Sequence, residues 1–295
     1  MATIRGLYRL LLVILSCLAL FGVHLVLSFL DVGLRLFKPT WWKEGVLRVR
    51  LKGLIFKALV KTTGIRLETT IEAKEPLSDT RILFLGNHVN YLDIIALSVL
   101  HPMAFIAKEE VGRWPLIGPL IARMHTIFVQ REDVWQRVRC VRALQRGINS
   151  MCYCLFPEGT TTDKLVPDLK NWKAGHLLTL RDPGVRVIAA GIRYQDHEKL
   201  AWIDNMTLAP HLWMVLKRKS IIISMQLREI DIQPSDLNDL RGLSYRIRDE
   251  VAALCVKAEQ ALRPISASAP CEDDEEEDMA LMVSSGELEA PASRC

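Results

Sequence analysis

Arg81-Ile82-Leu83-Phe84-Leu85-Gly86-Asn87-His88-Val89-Asn90-Tyr91-Leu92-Asp93-Ile94-Ile95-Ala96-Leu97 is the stretch from which the 295-residue chain is read. Arg81 to Leu85 is a short apolar run that stops at a glycine. Such a run, bounded by a turn residue, fits a strand buried on both faces. From Asp93 to Leu100 the chain has helical, apolar character, and Pro102 stops it. The polar residues between the two therefore sit at the C-terminal end of a buried strand, where α/β sheets collect ligands. His88 and Asp93 are five residues apart. On a regular helix that separation is about 140°. The two meet only if His88 occupies the turn and Asp93 the first turns of the helix. There the carboxylate accepts a hydrogen bond from one imidazole nitrogen, fixes the tautomer and leaves the other nitrogen as a base, the logic of a hydroxyl-activating dyad. An Asn87 helix cap with an incidental histidine has the same local pattern.

Outward from this stretch the alternation continues. Residues 46–67 read as an amphipathic helix, with Val46, Leu47, Leu51, Leu54, Ile55 and Leu59 on its apolar side, followed by a strand; residues 69–75 read as a strand edge. Further strands are expected at 104–107, 126–130, 152–156, 185–190 and 221–227. Helices are expected from Trp114 to about Met124, over 134–149 and over 240–262. The 134–149 helix has Val134, Val138, Val141, Leu144 and Ile148 on one side and Arg137, Arg139, Arg142 and Arg146 over the rest. The pattern predicts an α/β class: one domain with a central, mostly buried β-sheet flanked by helices.

Leu10 to Leu30 is a run of 21 residues without Asp, Glu, Lys or Arg. As a helix it is roughly 32 Å long, the thickness of a hydrocarbon core. Arg5 and Arg9 precede it; Arg35, Lys38, Lys43, Arg48 and Arg50 follow, around Trp41-Trp42. The denser charge on the C-terminal side predicts a body in the cytoplasm. His24 and Ser28 within the run keep open a helical hairpin dipping into one leaflet. A cleaved signal fits poorly, because the apolar run is too long.

Half of the residues are hydrophobic and 24% are charged, which excludes a disordered or collagen-like chain. The net charge of +4 hides a split: from Pro264 onward the chain has nine acidic residues and one basic residue, Arg294. Without that tail the body has 37 basic and 25 acidic residues, +12, which suits an anionic partner. The division expected is a membrane anchor over 1–45, a catalytic domain over 46–263 and a disordered acidic tail over 264–295. Seven scattered cysteines make no disulfide framework, and Cys152-x-Cys154 reads as core thiols on a strand. No nucleic-acid-binding motif is present.

Two further segments follow predicted strands. In Phe156-Pro157-Glu158-Gly159-Thr160, Gly159 allows close backbone approach, and exposed N–H groups with the Thr160 hydroxyl suit a polar headgroup. Thr126 to Arg131 ends in an arginine whose planar fork suits phosphate, and Lys108 ends another strand. Both cations are equally at home as solvated surface.

In this order, Asn87-His88-x4-Asp93, Lys108 with Arg113-Trp114-Pro115-Leu116-Ile117-Gly118, Ile127-Phe128-Val129-Gln130-Arg131 and Phe156-Pro157-Glu158-Gly159-Thr160 closely resemble the bacterial 1-acylglycerol-3-phosphate acyltransferase (lysophospholipid acyltransferase) family, over roughly residues 80–195. The resemblance implies a glycerolipid-acyltransferase-like domain at the cytoplasmic face of the inner membrane, with phosphatidic acid as product. It implies transfer of an acyl group from acyl-CoA or acyl-carrier protein to a lysophospholipid hydroxyl, with no metal, cofactor or covalent intermediate. Carried over by position, His88 is the base and Asp93 its orienting carboxylate. Asn87, Lys108, Arg131, Glu158, Gly159 and Thr160 are expected at the substrate, Arg131 on the acceptor phosphate. Thr161-Thr162-Asp163 departs from the arginine the family often has after Glu-Gly-Thr. The resemblance extends to some relatives with that Thr-Thr pair that acylate lyso-ornithine lipid, the alternative acceptor. The rival classes are a metal hydrolase on His88, Asp93 and Glu158, and a non-catalytic membrane scaffold using the basic 134–149 helix.

Overall fold

The computed structural model describes residues 1–34, 44–78, 80–114, 117–130, 132–167, 172–203 and 206–263. Several expectations lie outside the described residues: Trp41-Trp42 with Arg35, Lys38 and Lys43, the Pro115-Leu116 step, Arg131 and the acidic tail.

In chain order the elements are α1 (Ala2–Leu34), α2 (Glu44–Thr63), β1 (Ile65–Glu72), β2 (Ile82–Gly86), α3 (Leu92–Leu100), β3 (Met103–Lys108), α4 (Glu109–Gly112), α5 (Ile117–Ala122), β4 (Ile127–Val129), α6 (Val134–Gly147), β5 (Cys152–Leu155), β6 (Arg186–Tyr194), α7 (His197–Leu200), α8 (Leu208–Lys217), β7 (Ile221–Ile230) and α9 (Leu240–Leu262). Short 3-10 turns cover Gly175–Arg181 and Pro234–Asn238. The strands form one sheet in the order β1-β7-β6-β2-β5-β3-β4. Strands β2 to β6 are mutually parallel; β7 is antiparallel to β6 and parallel to β1. The C-terminal ends of β2, β3, β4, β5 and β6 therefore share one rim.

Period-two alternation decides the two faces. Ile82 and Phe84 of β2, Cys152 and Cys154 of β5, and Ile188, Ala190, Ile192 and Tyr194 of β6 pack with Leu92, Ala96 and Leu97 of α3 and Val215 of α8. Leu83, Leu85, Tyr153, Leu155, Val187 and Ala189 face the other way, against Leu144 of α6 and Leu243, Ile247, Val251 and Leu254 of α9. Both faces are covered, so the central strands read as continuous apolar runs. Gly191 lets α9 close in: a Cβ there would lie 2.3 Å from the Leu254 backbone carbon.

Two helical faces differ from their expected pattern. On α2, Leu54 is 60% exposed, while Arg48, Val49 and Lys52 are buried. This helix is wedged between α1 and α3, so its inward side is set by two neighbours. Arg48 donates to the His24 carbonyl (3.3 Å) and Ser28 Oγ (3.1 Å) of α1. Lys52 donates to the Met103 carbonyl (2.8 Å) and lies 4.9 Å from the Phe105 ring centre. On α6, Leu144 and Ile148 are buried, but Val134 and Val138 are exposed beside Trp135, 74% exposed. The helix packs on β4, an edge strand of three residues.

The apolar run forms a single helix without a turn as far as Leu34, with 29 residues long and apolar enough to cross a membrane. His24 and Ser28 bond each other (3.1 Å) within it. A buried stripe, Gly6, Arg9, Leu20, His24 and Leu27, follows one side of α1. Arg9 binds the Leu216 and Lys219 carbonyls at the end of α8 (3.3 and 3.2 Å), and Arg5 binds the Lys217 carbonyl (3.0 Å). The opposite side exposes Leu7, Leu11, Leu18, Leu25 and Phe29.

Candidate active site

The site is built where β2 ends. His88 lies in the turn and Asp93 in the first turn of α3, and His88 Nδ1 lies 2.7 Å from Asp93 Oδ2. The same oxygen accepts the Val89 and Asn90 backbone N–H groups (2.7 and 3.0 Å). This is why the sequence folds so locally: a carboxylate in the first helical turn satisfies amides that otherwise lack partners, and it favours the helix dipole. Asn90 stiffens the turn, accepting Leu92 N–H (2.6 Å) and donating to the Leu200 carbonyl (2.6 Å). Asp93 is fully buried, whereas the His88 side chain keeps 18% exposure. The ring thus connects an interior anion with the surface, and Nε2 is its second nitrogen.

From β5, the Phe156 ring stacks on the imidazole, with centres 4.0 Å apart and planes 3° from parallel. The stack fixes the plane in which both ring nitrogens lie. A turn follows: Gly159 N–H donates to the Phe156 carbonyl (3.0 Å), with Gly159 at φ 76°, a left-handed conformation suited to glycine. Thr162 N–H donates to the His88 carbonyl (2.8 Å), tying this loop to the β2 loop. Glu158 is buried, and Thr160 is exposed. Thr161 donates to the Trp202 carbonyl, and Thr162 Oγ1 accepts Lys164 N–H (3.1 Å). Thr161 thus ties the loop to the segment after α7, and Thr162 holds the loop's own chain.

Asn87, expected at the substrate, is buried with its amide committed to β6: Nδ2 donates to the Ile192 carbonyl (2.9 Å) and Oδ1 accepts Ile192 N–H (2.8 Å). In this arrangement its task is joining two strands under the site. Lys108 ends β3, is 44% exposed and lies 3.2 Å from Glu110 Oε1. The structure thus brings together His88, Asp93 and the Phe156–Thr160 turn, and puts Lys108 on the same rim two strands from β2.

Tyr194 is a participant that the sequence reading misses. It ends β6, is buried, and its hydroxyl donates to Asp93 Oδ1 at 2.5 Å, with Asn90 Oδ1 at 3.2 Å. Its signal was the apolar strand itself, in which a terminal tyrosine passes for core. Its neighbour Arg193 donates to Glu259 of α9 (2.9 Å) and to the Lys164 carbonyl (3.3 Å), and lies 2.6 Å from His197 Nε2. Among the described residues no group of three or more His, Cys, Asp or Glu side chains is placed to hold a metal ion.

A family model described as Acyltransferase matches residues 68–193. A 1-acyl-sn-glycerol-3-phosphate acyltransferase of Neisseria meningitidis serogroup B is 30% identical over 182 residues, covering 59% of this chain and 69% of its own. A lyso-ornithine lipid O-acyltransferase of Brucella abortus is 26% identical over 233 residues, covering 74% of this chain and 84% of its own. In fold, the chain resembles the crystal structure of the 1-acyl-sn-glycerophosphate (LPA) acyltransferase PlsC of Thermotoga maritima. The TM-score is 0.55 at 16% identity, over 90% of this chain and 99% of that one.

Proposed function

The chain belongs to the lysophospholipid (1-acylglycerol-3-phosphate) acyltransferase family of O-acyltransferases, and from that premise we propose that it acylates the free hydroxyl of 1-acylglycerol-3-phosphate to give phosphatidic acid. The observation that carries this reading is the His88–Asp93 hydrogen bond at the sheet rim, with the ring reaching the surface. Asp93 holds the Nδ1 proton. Nε2 takes the proton of the acceptor hydroxyl as its oxygen bonds to the thioester carbonyl carbon. The tetrahedral intermediate then expels the thiol sulfur, which takes the proton from the imidazolium. Acyl-CoA or acyl-carrier protein is the donor substrate, and this chemistry draws on no resident cofactor. A thioester is already activated, so the protein's contribution is a base and the orientation of two substrates. Lys108 and Arg131 supply positive charge for the acceptor's phosphate, and Glu158, Gly159 and Thr160 contact its headgroup and glycerol.

The body sits at the cytoplasmic face of the inner membrane. The buried stripe of α1 from Gly6 to Leu27 spans about 32 Å of helix. A helix flanked by its own body over that length lies along the membrane, with its outer apolar face in one leaflet, more readily than across it.

A second acceptor, lyso-ornithine lipid, is favoured by one observation. Thr161 and Thr162 stand where an arginine would meet phosphate, and both spend their polar groups on the protein's own chain. Lysophosphatidate, other lysophospholipids and lyso-ornithine lipid, each offered with acyl-CoA and with acyl-carrier protein to the purified enzyme in vesicles, decide between the two. His88→Ala is expected to lower turnover by about 10²–10⁴-fold with any acceptor, the usual worth of a general base. Full activity in His88→Ala removes the proposed mechanism.

A further inference from the structure

We propose that Tyr194 is a positioning residue of the acyl transfer: its buried hydroxyl, 2.5 Å from Asp93 Oδ1, sets how strongly the carboxylate holds a proton on the His88 ring. The inference rests on His88 and Asp93 acting as the base pair proposed above.

Asp93 accepts four hydrogen bonds, and their division matters. Oδ2 faces His88 and the Val89 and Asn90 amides, while Oδ1 faces Tyr194. The backbone donors come with the turn. Among the described residues the phenol is the one side-chain donor other than the ring, and it arrives from β6, 101 positions along the chain. Its packing fixes its aim: Tyr194 belongs to the core cluster that holds Phe84, Leu92 and Ile192. Burial, then the neighbouring Asp93 carboxylate, hold the phenol well above its ordinary value, so it remains a donor.

A donor on Oδ1 stabilises the carboxylate and draws charge from the oxygen that faces the imidazole. Without it, Asp93 would keep a buried oxygen without a partner, and the pair would bind a proton more tightly. The sign is therefore definite. Removing the hydroxyl raises the apparent value at which the pair becomes protonated, and a protonated ring is no base.

Apart from Lys52, the other shifted groups around the pair stay in one state across the working range. Burial pushes Cys154 of β5 up, and Cys255 of α9 up to about 12; Tyr91 is likewise pushed up by burial. Burial and then Arg193 pull His197 of α7 down to about 4. Glu158 stands behind Cys255 and Arg193 behind His197. Lys52 of α2 acts on Cys154. Burial pulls Lys52 itself down to about 7, so Lys52→Met is run beside Tyr194→Phe to subtract its part of the profile.

The test is the pH profile of kcat/KM in Tyr194→Phe, with thermal unfolding and circular dichroism to certify the fold. The expected result is an acid limb moved up by about one pH unit, the scale of one hydrogen bond to an ionised group. Activity then falls on the acid side of the profile and little on its alkaline side. A limb that stays in place, or a loss equal at every pH, overturns the inference. If Tyr194→Phe does not fold, global replacement of tyrosine by fluorotyrosine, with Tyr91→Phe as control, keeps the shape and strengthens the donor. The limb should then move to lower pH, and an unmoved limb overturns the inference equally. His88→Ala run in parallel separates the two ideas: if it is inactive while the limb stays put, only the role of Tyr194 is lost.

Discussion

At the residue scale, the approach of His88 to Asp93 was legible because the chain spacing permits it in a strand–turn–helix and the order of the motifs, by resemblance, called for it. A strand that ends at Gly86 and a helix that starts near Leu92 leave the histidine only the intervening turn. Asn87 and Tyr194 were not legible in the same way. Their partners lie about a hundred residues away, so nothing local marks an amide that joins β2 to β6 or a phenol aimed at a carboxylate. The two buried bonds between Asn87 and Ile192 give Asn87 a measurable weight. Asn87→Ala leaves a carbonyl and an N–H of Ile192 without partners, at about 1–3 kcal/mol each. Denaturant unfolding should show a loss of about 2–4 kcal/mol. The KM for the acceptor should stay put at temperatures where the variant is folded. A raised KM with unchanged stability would return Asn87 to the substrate.

At the element scale, the same sequence pattern has different outcomes in different surroundings. The apolar residues of β2, β5 and β6 are all buried because helices cover both faces. Those at the start of α6, which packs on a three-residue edge strand, are exposed, and periodicity alone does not tell where a neighbour ends. In α1 the composition gave a helix long and apolar enough to cross a membrane, but the side on which the body packs appears only in the fold. The docked α1 leads to a definite expectation. Probes placed on the outward positions Leu7, Leu18 and Phe29 should sit at similar depth in a bilayer, measured by quenching from lipids labelled at known depths. A helix that crosses the membrane would place Leu18 deep and the other two near opposite surfaces.

At the scale of the whole molecule, the buried titratable groups link folding to pH. Burial pulls Lys52 down to about 7 and His176 down to about 3, while burial and Arg193 pull His197 down to about 4. All three bases bind protons less readily when folded, so the unfolded chain takes up more protons as pH falls and stability drops. For the histidines the window runs from pH 6.5 down to about 3–4. For Lys52 it runs from 10.5 down to about 7. Lys52 should therefore add stability from pH 7 toward 9, above which the buried thiols, pushed up by burial, oppose the rise, and the histidines should lower stability below 6.5. Thermal unfolding of Lys52→Met should show a flatter rise above pH 7. An unchanged slope would mean that Lys52 is not held uncharged by the fold.

What the sequence determined by itself was local: strand and helix alternation, the order of the motifs, the apolar N-terminus and the chain distance between imidazole and carboxylate. These follow from side-chain periodicity and turn chemistry, which act over a few residues. The tertiary structure alone decided that β6 ends beside β2, so that Tyr194 reaches Asp93, and that α1 lies along α8 with its arginines on the α8 carbonyls. Those pairings come from packing two faces of one sheet. Packing joins residues by the shape and burial of the whole chain, and short-range patterns carry no record of it.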